Sequence, residues 1–146
     1  MALAAERGAR RASGVGVRLL PAHEAGPADV LAAQAYLWAT PETLAAIAGL
    51  MKDFFDRSYY AVLDRIQARP YALMVCAGSD GSNAVRQVER IATGWRLRKV
   101  AEPLIVCTHA QTPQAILAPK QMDAQQLHTC EELGEALATG LALGMF

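Results

Sequence analysis

YLWATPETLAAIAGLMKDFFD, Tyr36 to Asp56, is the stretch on which the reading of the fold turns. It opens within Ala35 to Ala39, a short apolar run with two aromatics bounded by turn chemistry, which suits a strand buried on both faces. Thr40 then stands where a helix cap belongs. Pro41 follows at the first helical position, where its missing N–H costs nothing and its fixed φ suits the helix. Leu44, Ile47, Met51 and Phe54 recur at three- and four-residue spacing and predict one apolar stripe, with Lys52, Asp53 and Asp56 off it, so this helix is expected to lie on a sheet face.

Working outward, the same unit repeats. Arg69 to Cys76 (RPYALMVC) is a second strand-like run ending in Ala77-Gly78-Ser79-Asp80-Gly81-Ser82. A helix with Val85, Val88, Ile91 and Trp95 on one face follows, and then a last strand at Pro103 to Cys107, which Pro can open. Asp123 with Gln126 makes a capping box for a closing helix bearing Leu127, Cys130, Leu137 and Leu141. Upstream, Ala2 to Ala12 has helix formers without a capping residue. Val15, Val17 and Leu19 alternate like an edge strand, and Pro27 to Gln34 reads as a short helix leading back to the central strand. Ser58 to Arg69 continues the helical spacing, and Thr108 to Lys120 reads as loop. Strands alternating with helices predict a single α/β domain with a mainly parallel sheet covered on both faces, in three layers.

The TPE loop followed by LAAIAGLMKDFFDR, with the Gly-Ser-Asp-Gly loop after the next strand, resembles the flavodoxin-like NAD(P)H-dependent FMN reductases. The resemblance implies a flavodoxin-like strand order 2-1-3-4-5, with ligands at the carboxyl ends of the strands. It implies FMN as cofactor and NAD(P)H as reductant. Thr40, Pro41, Glu42 and Thr43 would form one flavin-binding loop and Gly78, Ser79, Asp80 and Gly81 the other, with electrons passing to a quinone, free flavin or similar small-molecule acceptor. Backbone donors would do the work, so no catalytic side chain is expected. It also implies a cytoplasmic homodimer or homotetramer with Tyr59 and Tyr60 near the contact. Such proteins open with a strand and a Ser/Thr/Gly-rich phosphate loop. Met1 stands already inside the first helix, so the expectation is a domain lacking that strand and loop, with about four strands and FMN binding weakened or lost. The alternatives are a flavodoxin-type electron carrier, against which the neutral charge counts, and a degenerate, cofactor-free binding domain.

Composition bounds these readings. At 146 residues and 53% hydrophobic, the chain has material for one core. Fourteen basic residues balance fourteen acidic ones, so no nucleic-acid or anionic-membrane partner is expected. Cys76, Cys107 and Cys130 are odd in number and widely spaced, which argues against a disulfide framework and for a reducing compartment. No apolar run approaches the ~20 residues of a membrane span. His128 and Cys130, two apart on a helix, point nearly opposite ways and cannot face one metal ion. Trp38 and Trp95 read as core residues, and Arg86, Arg90, Arg96, Arg98 and Lys99 as a wet helix face more than a phosphate site.

Overall fold

β3, Pro70–Ala77, is the strand about which the others are set, and seven of its eight positions are buried. A strand covered on both faces needs no polar alternation, which is why YALMV reads as an unbroken apolar run. The computed structural model describes residues 1–146. β1, Tyr36–Thr43, lies parallel to β3 with Trp38 opposite Leu73. On the other edge of β3, parallel to it, come two short pieces: β4, Arg98–Lys99, and β5, Leu104–Cys107. The three strands expected at Ala35, Arg69 and Pro103 are therefore parallel neighbours. β2, Ala46–Ile47, pairs antiparallel with the end of β1, which makes the sheet mixed.

Helices cover both faces. α2 (Pro27–Ala32), α3 (Gly49–Val62) and α4 (Ser82–Gly94) lie on one side, where Val30, Tyr36, Trp38, Phe54, Phe55, Leu73, Val75, Val88 and Trp95 form the main core. On the other side α1 (Ala2–Ala9) and α6 (Ala124–Ala142) bury Ala4, Ala5 and Cys130 against Met74. This is the expected three-layer α/β arrangement. α6 opens on the expected capping box: Asp123 Oδ1 accepts the Gln126 N–H at 2.7 Å and Gln126 Oε1 accepts the Asp123 N–H at 3.0 Å. Within 108–120 a short α5, Pro113–Leu117, interrupts the expected loop.

Three expectations fail. Thr40 does not cap a helix, and Pro41 is not its first residue: β1 runs on through Thr43, turns at Leu44 and Ala45, returns as β2, and α3 starts only at Gly49. Thr40 and Pro41 pair with Val75 and Cys76, so the ladder to β3 outcompetes helix initiation. Pro41 is tolerated because the outer edge of β1 has no strand beside it from Tyr36 to Pro41, so a missing donor there breaks no ladder. Leu44 and Ile47 mimicked a helical stripe from a hairpin. Likewise Val15 to Leu20 alternates but forms no strand; Arg18 within it pairs with Asp29 of α2 at 2.8 Å. The helix after β2 also stops at Val62, with Ile66 buried in the turns that follow.

Arg69, just before β3, ties these elements together. Its Nη1 donates to the carbonyls of Val30 at 3.1 Å, Leu31 at 2.9 Å and Ala33, closing the C-terminus of α2, and to the Tyr36 hydroxyl at 3.2 Å. Tyr36 in turn donates to Val30 O at 2.8 Å. Burial holds the Tyr36 phenol above its ordinary pKa, with the Arg69 contact opposing. Arg69→Ala strands these acceptors, and a loss of roughly 2–3 kcal/mol is expected in urea unfolding; Arg69→Lys restores only part, since an ammonium lacks the fork. A change below about 0.5 kcal/mol for the alanine variant would show that the carbonyls find other partners.

Candidate functional site

At the carboxyl end of the parallel strands, the β1–β2 hairpin leans on the loop that follows β3. Glu42 Oε2 accepts the Gly81 N–H at 3.1 Å, joining the two segments singled out from the sequence. Asn83 Nδ2 donates to Ala45 O, and Gln87 Oε1 accepts the Ile47 N–H at 2.9 Å. Asn83 and Gln87, four apart on α4, thus bolt the hairpin to the helix. Sequence reasoning passed over both; their one signal was the i, i+4 spacing of two amides on a helix flank.

Of the first quartet, Thr40, Pro41, Glu42 and Thr43 lie consecutively on a strand, so they alternate between faces rather than lining one side of a loop. Thr40 is 4% exposed and its Oγ1 accepts the Ala48 N–H at 3.4 Å. Thr43 pairs with Ala46. No helix N-terminus begins here, so no helix dipole favours an electron-rich group from Thr40 to Thr43. Only Glu42 reaches the second quartet.

The second quartet keeps its loop. Gly78, Ser79 and Asp80 are exposed, and their N–H groups make no hydrogen bond within the chain. A Cβ on Gly78 would meet nothing within 4 Å. Gly81 differs in kind. It is buried, its φ is +80°, and a Cβ there would stand 2.8 Å from Ile105 Cγ2, so glycine is required for the turn into α4 whatever binds. Asp80 accepts the Ser82 hydroxyl at 2.5 Å, and its carbonyl lies 3.7 Å from Cys107 Sγ.

On the other face of β1 and β3, a cavity of about 170 Å³ opens among Met1, Ala39, Thr40, Pro41, Met74 and Cys76. No Ser, Lys or Arg side chain lines it. Burial holds the Cys76 thiol above its ordinary pKa, so it stays protonated at neutral pH and is a poor nucleophile. Trp38 and Trp95 are 6% and 4% exposed, deep in the main core and away from this end of the sheet's surface. Among the cationic residues, Arg96 pairs with Asp64 at 2.9 Å and Lys99 with Glu89 at 3.1 Å, which fits a solvated face. No helix is long and apolar enough to cross a membrane.

This geometry has counterparts among solved structures. A flavodoxin from the domain Archaea superposes with a TM-score of 0.73 at 13% identity, over 96% of this chain and 87% of that one. A flavodoxin, WrbA-like protein from Agrobacterium tumefaciens gives 0.65 at 18% identity, over 97% and 87%. The flavodiiron protein from Giardia intestinalis gives 0.73 at 16% identity over 97% of this chain but only 32% of its own length. At such identities the likeness is one of fold, and the fold is flavodoxin-like. No curated protein matches the sequence. Residues 21–112, from the loop before α2 to the loop after β5, match the family described as NADPH-dependent FMN reductase, and the chain belongs to that family.

Proposed function

We propose that the chain is a flavin-dependent oxidoreductase carrying electrons from NAD(P)H through FMN to a small-molecule acceptor. The flavin ring lies in this reading between the β1 arm, Thr40-Pro41-Glu42-Thr43, and the Gly78-Ser79-Asp80-Gly81 loop. The observation that carries it is the row of unpaired N–H groups at Gly78, Ser79 and Asp80, beside a glycine with open space where a side chain would stand. Such donors suit the electron-rich edge of the ring, and an absent Cβ lets the backbone approach its plane. The residues present fit that part of the cofactor. When bound, FMN supplies the electron transfer itself; the chain holds the ring edge and keeps Glu42 and Gly81 tied. The free thiols of Cys76, Cys107 and Cys130 accord with a cytoplasmic setting. Tyr60, 85% exposed and edge-on to Tyr59 at 5.1 Å, is the contact we assign to a homodimer or homotetramer.

The phosphate end is less well served, since the neighbouring cavity offers Thr40, already engaged, and otherwise apolar walls and a thiol. Two missing charge-assisted bonds would remove roughly 3–6 kcal/mol, on the order of 100- to 10,000-fold in affinity. FMN titrated into the protein and followed by flavin fluorescence is therefore expected to bind in the micromolar range or more weakly. Gly78→Val is expected to weaken that binding a further ~10-fold while leaving the melting temperature where it was, because its Cβ meets no protein atom. Equal affinity in the two proteins, or no binding at millimolar FMN, would refute the placement.

A further inference from the structure

We infer that two copies of this chain join by reciprocal strand addition: the segment 15–20 (Val-Gly-Val-Arg-Leu-Leu) of each copy lies along the open edge of β1, residues 36–40, in the other. β1 has no strand beside its outer edge from Tyr36 to Pro41. Such an edge presents unpaired N–H and C=O groups to any extended chain that reaches it, and proteins blunt it with charge, a bulge or proline. Residues 36–40 carry no charge and no proline; only Pro41 closes the end. Both faces of the edge are apolar. Tyr36 and Trp38 belong to the main core, while Leu37 and Ala39 pack toward α1 and α6. The occupant that fits is an extended backbone with apolar side chains beside Leu37 and Ala39.

The segment 15–20 meets that description. Val15, Val17 and Leu19 alternate with Gly16 and Arg18, as on a strand, yet none of these residues makes a backbone hydrogen bond within the chain. None of the segment's apolar side chains belongs to either core, and Leu19 is 42% exposed. One molecule thus holds an edge without a strand and a strand without an edge, of similar length. Within the copy they stay apart, and Arg18 ties the segment to Asp29 of α2 at 2.8 Å. Between two copies each supplies what the other lacks, and the exchange closes about a two-fold axis instead of propagating. Gly14, at φ +78° with open space about it, is the hinge on which the segment swings out. With Arg18 turned to the α2 side, where Asp29 offers it a partner, Val15, Val17 and Leu19 fall beside Leu37 and Ala39. The contact is separate from Tyr59 and Tyr60 on α3 and requires no cofactor.

Hydrogen–deuterium exchange of the whole chain, read by mass spectrometry across a dilution series, tests the pairing. In the concentrated protein the amides of 15–20, and those of 36–40 that point away from β3, are expected to exchange roughly tenfold more slowly than in the dilute protein. Both segments should lose that protection together on dilution, over the range in which the sedimentation mass halves. Val17→Pro denies the ladder a donor and Val17→Lys sets a charge beside Leu37, so each should abolish the protection of 36–40 and the halving of mass. Because Val17 belongs to neither core, the melting temperature of the dilute protein should hold in at least the lysine variant. Val17→Ile, which keeps the strand, should retain the protection, and so should Tyr60→Ala. Fast exchange in both segments at every concentration overturns the inference. So does protection that persists on dilution at constant mass, which assigns the edge to a strand other than that of a second copy. A halving of mass that both Val17→Pro and Val17→Lys leave intact overturns it as well.

Discussion

Gly134→Ala is expected to lower the melting temperature by roughly 10 °C, the equivalent of about 3 kcal/mol in a chain of this size. α1 and α6 cross so closely that a Cβ on Gly134 would stand 2.0 Å from Ala5 O, and one on Gly8 would stand 1.9 Å from Glu131 O. Both obstacles are backbone, which cannot swing aside as a side-chain end can, so the helices must separate. The ion pairs across the crossing will not compensate. Arg7 and Arg11 hold Glu131 at 2.8 and 2.5 Å and pull its carboxyl below the usual range, but both arginines are half exposed and such pairs contribute little. Separation would uncover Cys130, which is fully buried, and Met74. Reaction of Cys130 with a thiol reagent under native conditions should therefore accelerate together with the loss of stability. An unaltered melting temperature with Cys130 still protected would show that the crossing has slack.

Trp38→Ala should cost a comparable 3–5 kcal/mol. The indole sits at the centre of an aromatic cluster: stacked on Tyr36 at 5.8 Å, edge-on to Phe55 at 5.0 Å and Trp95 at 6.0 Å, and tilted against Tyr71 at 5.2 Å. Truncation leaves a cavity that these rings, belonging to β1, β3, α3 and the residue just after α4, cannot jointly collapse. Against a total stability of about 5–15 kcal/mol the loss is large. Guanidinium unfolding read by circular dichroism checks it, with Trp38→Phe expected to retain most of the difference. Equal losses for Phe and Ala would show that the indole's own size, rather than apolar volume in general, is what the site requires.

The features readable in the sequence were those decided locally. Periodic apolar residues on α4, the unbroken run of β3 and the Asp123–Gln126 box each carry their cause within a few residues. The hairpin does not. Leu44 and Ile47 lie three apart, as helical partners would, and Leu-Ala lacks the Asn-Gly chemistry that announces a tight turn. What settles their conformation is the pairing of Thr40 and Pro41 with β3 and the amides of Asn83 and Gln87, all distant in sequence. Val15 to Leu20 shows the converse: alternation prepares a strand, yet a ladder needs a neighbour. For the candidate site, residue types pointed to the carboxyl end of the sheet, where Glu42 and Gly81 of the two segments meet. Sequence alone made no distinction between Gly78, open to a ligand, and Gly81, fixed by its own backbone.

β1 runs without a break from Trp38 in the core to the turn at Leu44, a reach of ~20 Å at about 3.3 Å per residue. It behaves as a lever whose fulcrum is the packed interior. A slip of one residue against β3 would turn Trp38 outward and expel the whole aromatic set, so register is enforced from the buried end. The free end inherits that enforcement. Mutational drift at Leu44 and Ala45 can therefore change what the tip touches without changing where it stands.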